Sequence, residues 1–444
     1  MPKTRKTRKT RKILRSGYTT GACAAAAAKA ATLSALSALA DLSALNKSDG
    51  SRLRVKPVCF FPVEIPFPDG SRHAFKITDI TIDGRSFRAS VVKDAGDDPD
   101  VTHGAIITAE VSVSIAPKAT AAARIIIRGG LGVGTVTKPG LPVPVGEAAI
   151  NPVPKKMIEA AVLEALDTPN GDAAGWDVAS QNTDGRNVAG QNSAGLIIDI
   201  SIGVIDGEKL AQKTLNPRLG ILGGLSILGT TGIVRPLSSE AWTASIKTSM
   251  CVAKACGIRE IVLSTGRTSE KAHMSRFAMP EASYVMMGDH AGYALTKCRQ
   301  YGFERVILCA QWAKLLKIAM GVPQTHVRHG ALEVQAAVEF LKNLCPEALP
   351  ASIKFNTARE IFGFIESTGE GGSALLRAVS AEAARAAGRF TGGIPVAVTL
   401  VSYDGRVAVS DELAPINASI SASISASISA PISAPIISPM GSDE

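Results

Sequence analysis

The residues best suited to chemistry fall in one acidic loop and a set of glycine-rich turns. Lys93-Asp94-Ala95-Gly96-Asp97-Asp98-Pro99-Asp100-Val101-Thr102-His103 places four carboxylates within seven residues. Carboxylates that close repel one another and coexist only with a cation, with N–H donors or with raised pKa values. The only nearby cationic partners in the sequence are Lys93 and His103. Asp97, Asp98 and His103 are therefore candidates for proton transfer, set against the plainer reading of a solvated acidic loop. The spacing, and the lack of a terminal Glu, exclude an EF-hand. The apolar stretch from Thr214 to Pro236 carries Gly220, Gly223, Gly224, Gly229 and Gly232. Each glycine would cost about 1 kcal/mol in a helix interior, so short buried strand and glycine turn are expected instead. There a backbone can take positive φ or approach a ligand closely. Tight packing at a domain junction is the alternative. Gly224 to Thr231 is one residue from a P-loop, with Thr230 where the phosphate-binding Lys would stand. No G-x-G-x-x-G occurs there, and Arg128 to Gly134 also misses it by its third interval.

Further candidates come from three turns that follow expected strands: Ser264 to Thr268, Met287 to His290 and Ala310 to Lys314. In an open parallel sheet, ligands bind at the carboxyl ends of the strands. These turns offer Gly266, Gly288, Gln311, the carboxylate of Asp289 and the cations of Arg267 and Lys314. Gly229, Thr230, Thr231 and Gly232 are expected to join them.

Two kinds of element must position these residues. After the turn Gly17 to Gly21, an alanine-rich helix is expected from Ala22 to Ala40, capped by Thr19 or Thr20. Short β-rich runs follow at Phe60–Pro66, Arg72–Ile82, Phe87–Lys93, Ala105–Ile115 and Arg124–Arg128. A helix at Pro154–Asp167 and a strand at Leu196–Val204 complete an α+β N-terminal domain with a mixed or antiparallel sheet. Beyond Pro236 the chain alternates strand, turn and helix. The strands fall at Ile258–Ser264, Tyr284–Met287 and Arg305–Cys309, and a hairpin at Val396–Ser410 ends the series. That alternation predicts a Rossmann-like α/β C-terminal domain with a parallel sheet. Its first helix is expected to be capped by Ser238 or Ser239 and to bury Trp242, Ile246, Met250 and Ala253. The next begins at a cap of Thr268 or Ser269, and helices fill 331–344 and 357–387. The expected divisions are a basic arm at 1–12, domains at 13–212 and 213–412, a flexible insertion at 168–195 and a low-complexity tail at 413–444.

Composition narrows the function class. The net charge is +9, but the first fifteen residues hold eight positive charges and no acid, so the body is near neutral. A nucleic-acid-binding role would rest on the KTR arm alone. Seven cysteines with no C-x-x-C suit buried thiols in a reducing cytoplasm. No apolar run suggests a membrane span, and His326 with His329 lacks the spacing and Glu of a zincin, so no metal site is expected.

Four long segments point to a family. They are RSGYTTGACAAAAAKAA at 15–31, VVKDAGDDPDVTHGA at 91–105, GGLGVGTVTKPGLPVPVGEAAINPVPKKM at 129–157 and KTLNPRLGILGGLSILGTTGIVRPLSSEA at 213–241. They closely resemble, in order, the CbiD family of cobalt-precorrin-5B C1-methyltransferases of anaerobic cobalamin biosynthesis. The resemblance implies transfer of a methyl group from S-adenosylmethionine to C1 of a cobalt corrinoid precursor, forming cobalt-precorrin-6A, with cobalt carried only by the substrate. It implies carboxylates near a sulfonium donor, drawn from Asp97, Asp98 and Asp289, and a modest base among these and His103. Acetate and propionate arms on such an acceptor would call on Thr19, Thr20, Lys93, Gly130, Gly132, Lys138, Arg267 and Lys314. The donor would meet Gly229, Thr230, Thr231, Gly232, Gly266, Gly288, Asp289 and Gln311. One turn departs from a frequent family pattern: Ala310 to Leu315 keeps the Lys but lacks its His, so no histidine there carries catalytic weight. The partner implied is a small tetrapyrrole, with no nucleic acid or membrane, and a homo-oligomer is left open. A phosphotransferase with a degenerate P-loop and a nucleic-acid binder acting through the arm are the competing readings.

Overall fold

Alanine at Ala22 and at Ala24 to Ala28 does two things at once in helix α1 (Thr20–Leu45). It is the best helix former, and its small side chain lets α1 lie close between its neighbours. All six are buried. The Thr19 hydroxyl accepts the Ala22 N–H (3.2 Å) and caps the helix. In this computed structural model the described residues are 14–45, 62–115, 123–167, 195–327, 330–350 and 353–410. The expectations for the basic arm before residue 14, the loop at 46–52, the insertion at 168–194, His329 and the tail beyond 410 lie outside them. By length and composition α1 is apolar enough to cross a membrane, but most of its surface is buried within the fold.

Ahead of α1, β1 (Gly17–Tyr18) forms a short strand. After it come β2 (Pro62–Pro66), β3 (Arg72–Lys76), β4 (Asp79–Asp83), β5 (Ser86–Val92), β6 (Ile106–Ile115), β7 (Arg124–Gly129) and β8 (Thr135–Val136). Then follow α2 (Pro152–Leu166), β9 (Leu196–Val204), α3 (Gly207–Ala211), β10 (Ile221–Leu222) and β11 (Ile233–Val234). Five strands make a mixed sheet in the order β4-β5-β6-β9-β7, antiparallel except for β7 beside β9. Its buried face alternates along the strands, through Ala89 and Val91, Ile107, Ala109 and Val111, and Ile198, Ile200 and Ile202. α1 packs on β5 and β6 with α2 against its other side. The run Arg72–Ile82, expected as one strand, is two. Thr78 turns both its N–H and its hydroxyl to the Ser90 carbonyl (2.8 and 3.0 Å), so the chain leaves the β2–β3 hairpin and re-enters beside β5.

The second core begins with α4 (Ser239–Ala255). It continues through β12 (Glu260–Ser264), α5 (Arg267–Arg276), β13 (Tyr284–Met286), α6 (Ala291–Tyr301), β14 (Arg305–Gln311), α7 (Trp312–Ala319), α8 (Val334–Leu344), α9 (Ala358–Ser367), α10 (Glu370–Thr391), β15 (Val396–Val401) and β16 (Val407–Ser410). Its sheet runs β13-β12-β14-β15-β16, parallel except for β16. Ile261 to Leu263, Leu308 to Ala310 and Val398 are fully buried, as strands covered on both faces must be. Three expectations need correction here. Gly369, at φ +60°, divides the helical stretch expected at 357–387 into α9 and α10. Gly266, not Thr268 or Ser269, stands at the N-cap of α5. Ile246, Met250 and Ala253 are buried as expected, but Trp242 in the first turn of α4 is 44% exposed.

α5 carries a buried histidine. Its Nδ1 lies 3.0 Å from the Tyr284 hydroxyl, and burial lowers its pKa to about 4 from an ordinary 6.5. As pH falls below 6.5, the unfolded chain takes up a proton that the folded chain refuses until about pH 4. His273 therefore costs stability progressively across that window, by about 3 kcal/mol in total. Urea melts between pH 7 and 4 should show this slope. His273→Gln, which can still meet the Tyr284 hydroxyl, should flatten it. An equal slope in the variant would assign the acid sensitivity to other groups.

Candidate active site where the two cores meet

β1 and the acidic loop are pressed together. Tyr18 N–H bonds to the Asp94 carbonyl (2.7 Å) and Asp97 N–H to the Arg15 carbonyl (2.9 Å). A Cβ on Gly17 would lie 2.1 Å from the Ala95 backbone, so no larger residue fits there. The four carboxylates each have a partner. Asp94 holds the Arg15 guanidinium, which with the Gly96 N–H brings its pKa down to about 2. Arg15, counted from sequence only among the positive charges of the first fifteen residues, thus belongs to the site. Asp97 Oδ2 accepts the Arg15 N–H (2.9 Å), and Asp98 Oδ1 accepts the Leu237 N–H (3.0 Å). Among the described residues, each keeps its other oxygen without a hydrogen bond. Asp100 takes the Lys93 ammonium (2.7 Å) and the Thr102 N–H and hydroxyl. Burial raises the Asp100 pKa, but Lys93 and Thr102 outweigh it and the net shift is downward. The Lys93 side chain is only 2% exposed, which corrects its expected contact with substrate: its charge is spent holding the loop. His103 Nδ1 accepts the Ala95 N–H (3.1 Å), which leaves Nε2 as the protonated nitrogen, a donor rather than a base.

The glycine stretch closes over this loop. β1 pairs with β11, Thr19 N–H reaches the Gly232 carbonyl (2.9 Å) and the Thr20 hydroxyl accepts the Leu228 N–H (2.9 Å). Both threonines are buried, while Thr230 and Thr231 are exposed. Gly229 abuts Thr19, where a Cβ would fall 2.4 Å from its hydroxyl. Gly232 combines φ +82° with the Phe67 ring, 2.5 Å from where its Cβ would be. These two glycines serve the chain's own packing. Gly223 has nearly the same φ, +79°, with nothing within 4 Å. Gly232→Ala should therefore lower the melting temperature clearly more than Gly223→Ala, whose cost is the backbone strain alone, about 1 kcal/mol or a little more. Equal costs would show that Phe67 yields freely. The degenerate P-loop reading fails on geometry. A P-loop runs from strand through glycine loop directly into a helix, but Gly224–Thr231 leads into β11, and helix begins only at Ser239.

Leu237 and α4 carry the chain from this loop to the second sheet. Leu237 has φ +55°, one of two non-glycine residues in the left-handed region among those described. Ser238 caps α4 by accepting the Ala241 N–H (3.2 Å). Trp242 then stacks near His290 (ring centroids 6.4 Å apart, planes at 28°) and lies over Gly288, 3.3 Å from where a Cβ would be. Next to it, Asp289 meets Lys314 (3.1 Å) and the Thr325 hydroxyl (2.8 Å), and Lys314 also reaches the Thr265 carbonyl (2.8 Å). Burial raises the Asp289 pKa, but Thr325 and Lys314 reverse it to a net lowering. Gln311 donates to the Ser402 carbonyl (3.3 Å). Gly266 has extended backbone and open space where a Cβ would be. Arg267 is exposed and lines a shallow cavity of about 400 Å³ with Thr268, Lys271 and Gly405.

The remaining candidates sit apart from these contacts. A Cβ on Gly132 would lie 2.0 Å from the Val204 carbonyl, and one on Gly130 2.5 Å from the Ser201 hydroxyl, so both glycines dock the β7–β8 turn onto β9. Leu131 between them is 91% exposed. Lys138 donates to the Arg218 carbonyl (2.9 Å) and lays its stem on Gly220. Sequence reasoning missed a second link between the cores. Arg218 forms a two-pronged pair with Glu270 of α5 (2.7 and 3.0 Å), and Ser264 also donates to Glu270 (2.8 Å). Among the described residues, no group of three or more His, Cys, Asp or Glu could hold a metal ion.

The CbiD family model matches residues 7–236. A cobalt-precorrin-5B C(1)-methyltransferase from Desulfotalea psychrophila is 46% identical over 325 residues, covering 71% of this chain and 81% of that protein. One from Geobacter metallireducens is 43% identical over 358 residues, covering 78% and 89%. A solved structure, the cobalamin biosynthesis protein cbiD from Archaeoglobus fulgidus, is 27% identical over 69% of this chain and 79% of that one, with a TM-score of 0.31. With a family model spanning half its length and relatives matched over most of theirs, this chain belongs to the CbiD family.

Proposed function

We propose that this chain is an S-adenosylmethionine-dependent methyltransferase that methylates C1 of cobalt-precorrin-5B to give cobalt-precorrin-6A. The observation that carries the reading is the 46% identity, over 81% of its length, to a relative named cobalt-precorrin-5B C(1)-methyltransferase. In this reading the chain has an α+β domain at 13–212 and a Rossmann-like domain at 213–412, working in the cytoplasm. The donor lies at the carboxyl edge of the second sheet and the macrocycle across the junction. Gly266 fits such a donor, since neither its backbone nor its packing requires glycine and the place of its Cβ is open. Gly288, the exposed Thr230 and Thr231, and Gln311 border the same edge in this proposal.

When bound, the donor supplies an electrophilic methyl group, and the chain's part is to hold acceptor and donor in line. Asp97, exposed and with one oxygen uncommitted, is the base that takes up the proton released by the methylated ring. Asp289, held by Lys314 and Thr325, favours the donor's cationic end from a fixed position. His103 donates from Nε2, and Arg267 and Lys314 add positive charge for the acceptor's carboxylate arms. Incubating the purified chain with S-adenosylmethionine and cobalt-precorrin-5B should release S-adenosylhomocysteine in step with loss of the acceptor. No release above a no-protein control would refute the reading.

A further inference from the structure

Trp242 and its support form a surface that the proposed reaction has not yet used. A large aromatic residue at a helix start usually turns inward when a core lies beneath it. Here it stays 44% exposed, although Ile246 and Met250 one and two turns on are fully buried. It is nonetheless held, by the nearly parallel His290 ring on one side and by Gly288 beneath it. The segment that delivers it is strained: Leu237 sits at φ +55°, where a branched side chain is disfavoured. Such strain persists only where the surroundings enforce it, and it concentrates at ligand clamps. The enforcing contact comes from the other core, where Asp98 accepts the Leu237 N–H (3.0 Å). Four residues separate Leu237 from Trp242, the Ser238 cap among them.

We infer that Trp242 is the stacking face for the adenine ring of the methyl donor, and that Asp98 is the positioning residue that sets it. This rests on the donor reading proposed above. The turn at Gly288 lies at the end of β13, on the sheet edge where open parallel sheets bind ligands. One indole matches one purine in area, whereas a tetrapyrrole face would overrun it. The flat ring also lies beside Gly288, next to the Asp289–Lys314 pair.

Calorimetric titration of the full-length chain with S-adenosylhomocysteine tests both parts. Trp242→Ala should weaken binding about tenfold or more, the usual loss when a base loses its aromatic platform, while Trp242→Phe should retain most of it. Asp98→Ala should weaken binding similarly. Asp98→Asn, whose amide oxygen still accepts the Leu237 N–H, should not. Asp98→Ala combined with Leu237→Gly should recover affinity, because glycine takes positive φ unaided. In turnover, Trp242→Ala should raise KM for the donor with little change in kcat or in KM for the corrinoid. Unchanged affinity in Trp242→Ala, or no recovery in the double variant, would overturn the inference. So would a rise confined to the corrinoid KM, which would give the indole to the macrocycle. A chain that methylates while Trp242→Ala binds normally separates this failure from failure of the donor reading, in which the unaltered chain would bind no S-adenosylhomocysteine.

Discussion

Glu270→Ala is expected to destabilise the chain by about 3–5 kcal/mol, the usual result of leaving a buried charge without its partner. The pair it breaks is well covered, with side-chain exposures of 17% for Arg218 and 4% for Glu270. Among the described residues Arg218 Nε has no hydrogen-bond partner, so removal of Glu270 would strand the whole guanidinium. Ser264 would lose its acceptor as well. The pair also ties the glycine stretch to α5, next to the open backbone of Gly266, so the loss should disturb the proposed donor edge. Replacing both partners, as Arg218→Met with Glu270→Leu, should cost much less, because no charge is left buried. Urea unfolding of the three proteins checks this. A loss below about 1 kcal/mol for Glu270→Ala would mean that water reaches Arg218 and solvates it.

Asp97→Asn should leave the fold intact and cut methyl transfer by about 10²–10⁴-fold, the range for loss of a general base. The amide oxygen of Asn can still accept the Arg15 N–H, so the contact between loop and β1 survives. What is lost is an exposed, uncommitted carboxylate oxygen able to take a proton; Asp98 also keeps one, but it is less exposed. The neighbouring acids are differently occupied: Asp94 by Arg15, Asp100 by Lys93 and Thr102, and Asp98 by Leu237. Single-turnover rates beside a thermal melt separate the two effects. A folded Asp97→Asn variant within about twofold of the unaltered chain would move the base elsewhere, since a base contributes far more than that.

Local pattern made much of the fold legible. Leu196–Val204 is a strand with the bounds expected from its apolar run, and the hairpin around Tyr403-Asp404-Gly405 falls at its turn residues. The strand–turn–helix alternation beyond Pro236 corresponds to strands that do lie parallel. Where local pattern fails, the commonest reason is a partner elsewhere in the fold. Arg15 and Asp94 are 79 residues apart, and Arg218 and Glu270 are 52 apart, so neither pair leaves a local signal. Thr78 breaks a strand only because Ser90 is there to receive it. The helical spacing of Trp242, Ile246 and Met250 is real, but the first turn of α4 reaches past the core, which periodicity cannot register. Glycine leaves the least local signal of its role. Gly229, Gly232, Gly130 and Gly132 suggest places for a ligand in sequence, and in the fold a Cβ at each would meet another part of the chain. Only contact geometry distinguishes them from Gly266, where the space is open.

Methylation of one carbon of one acceptor leaves a new methyl group whose position can be read. The chain would be incubated with cobalt-precorrin-5B and S-adenosylmethionine labelled with carbon-13 in its methyl group, and the product examined by mass spectrometry and carbon-13 NMR. A single labelled methyl group attached at C1 is expected. Label at any other ring carbon, or none, would contradict it.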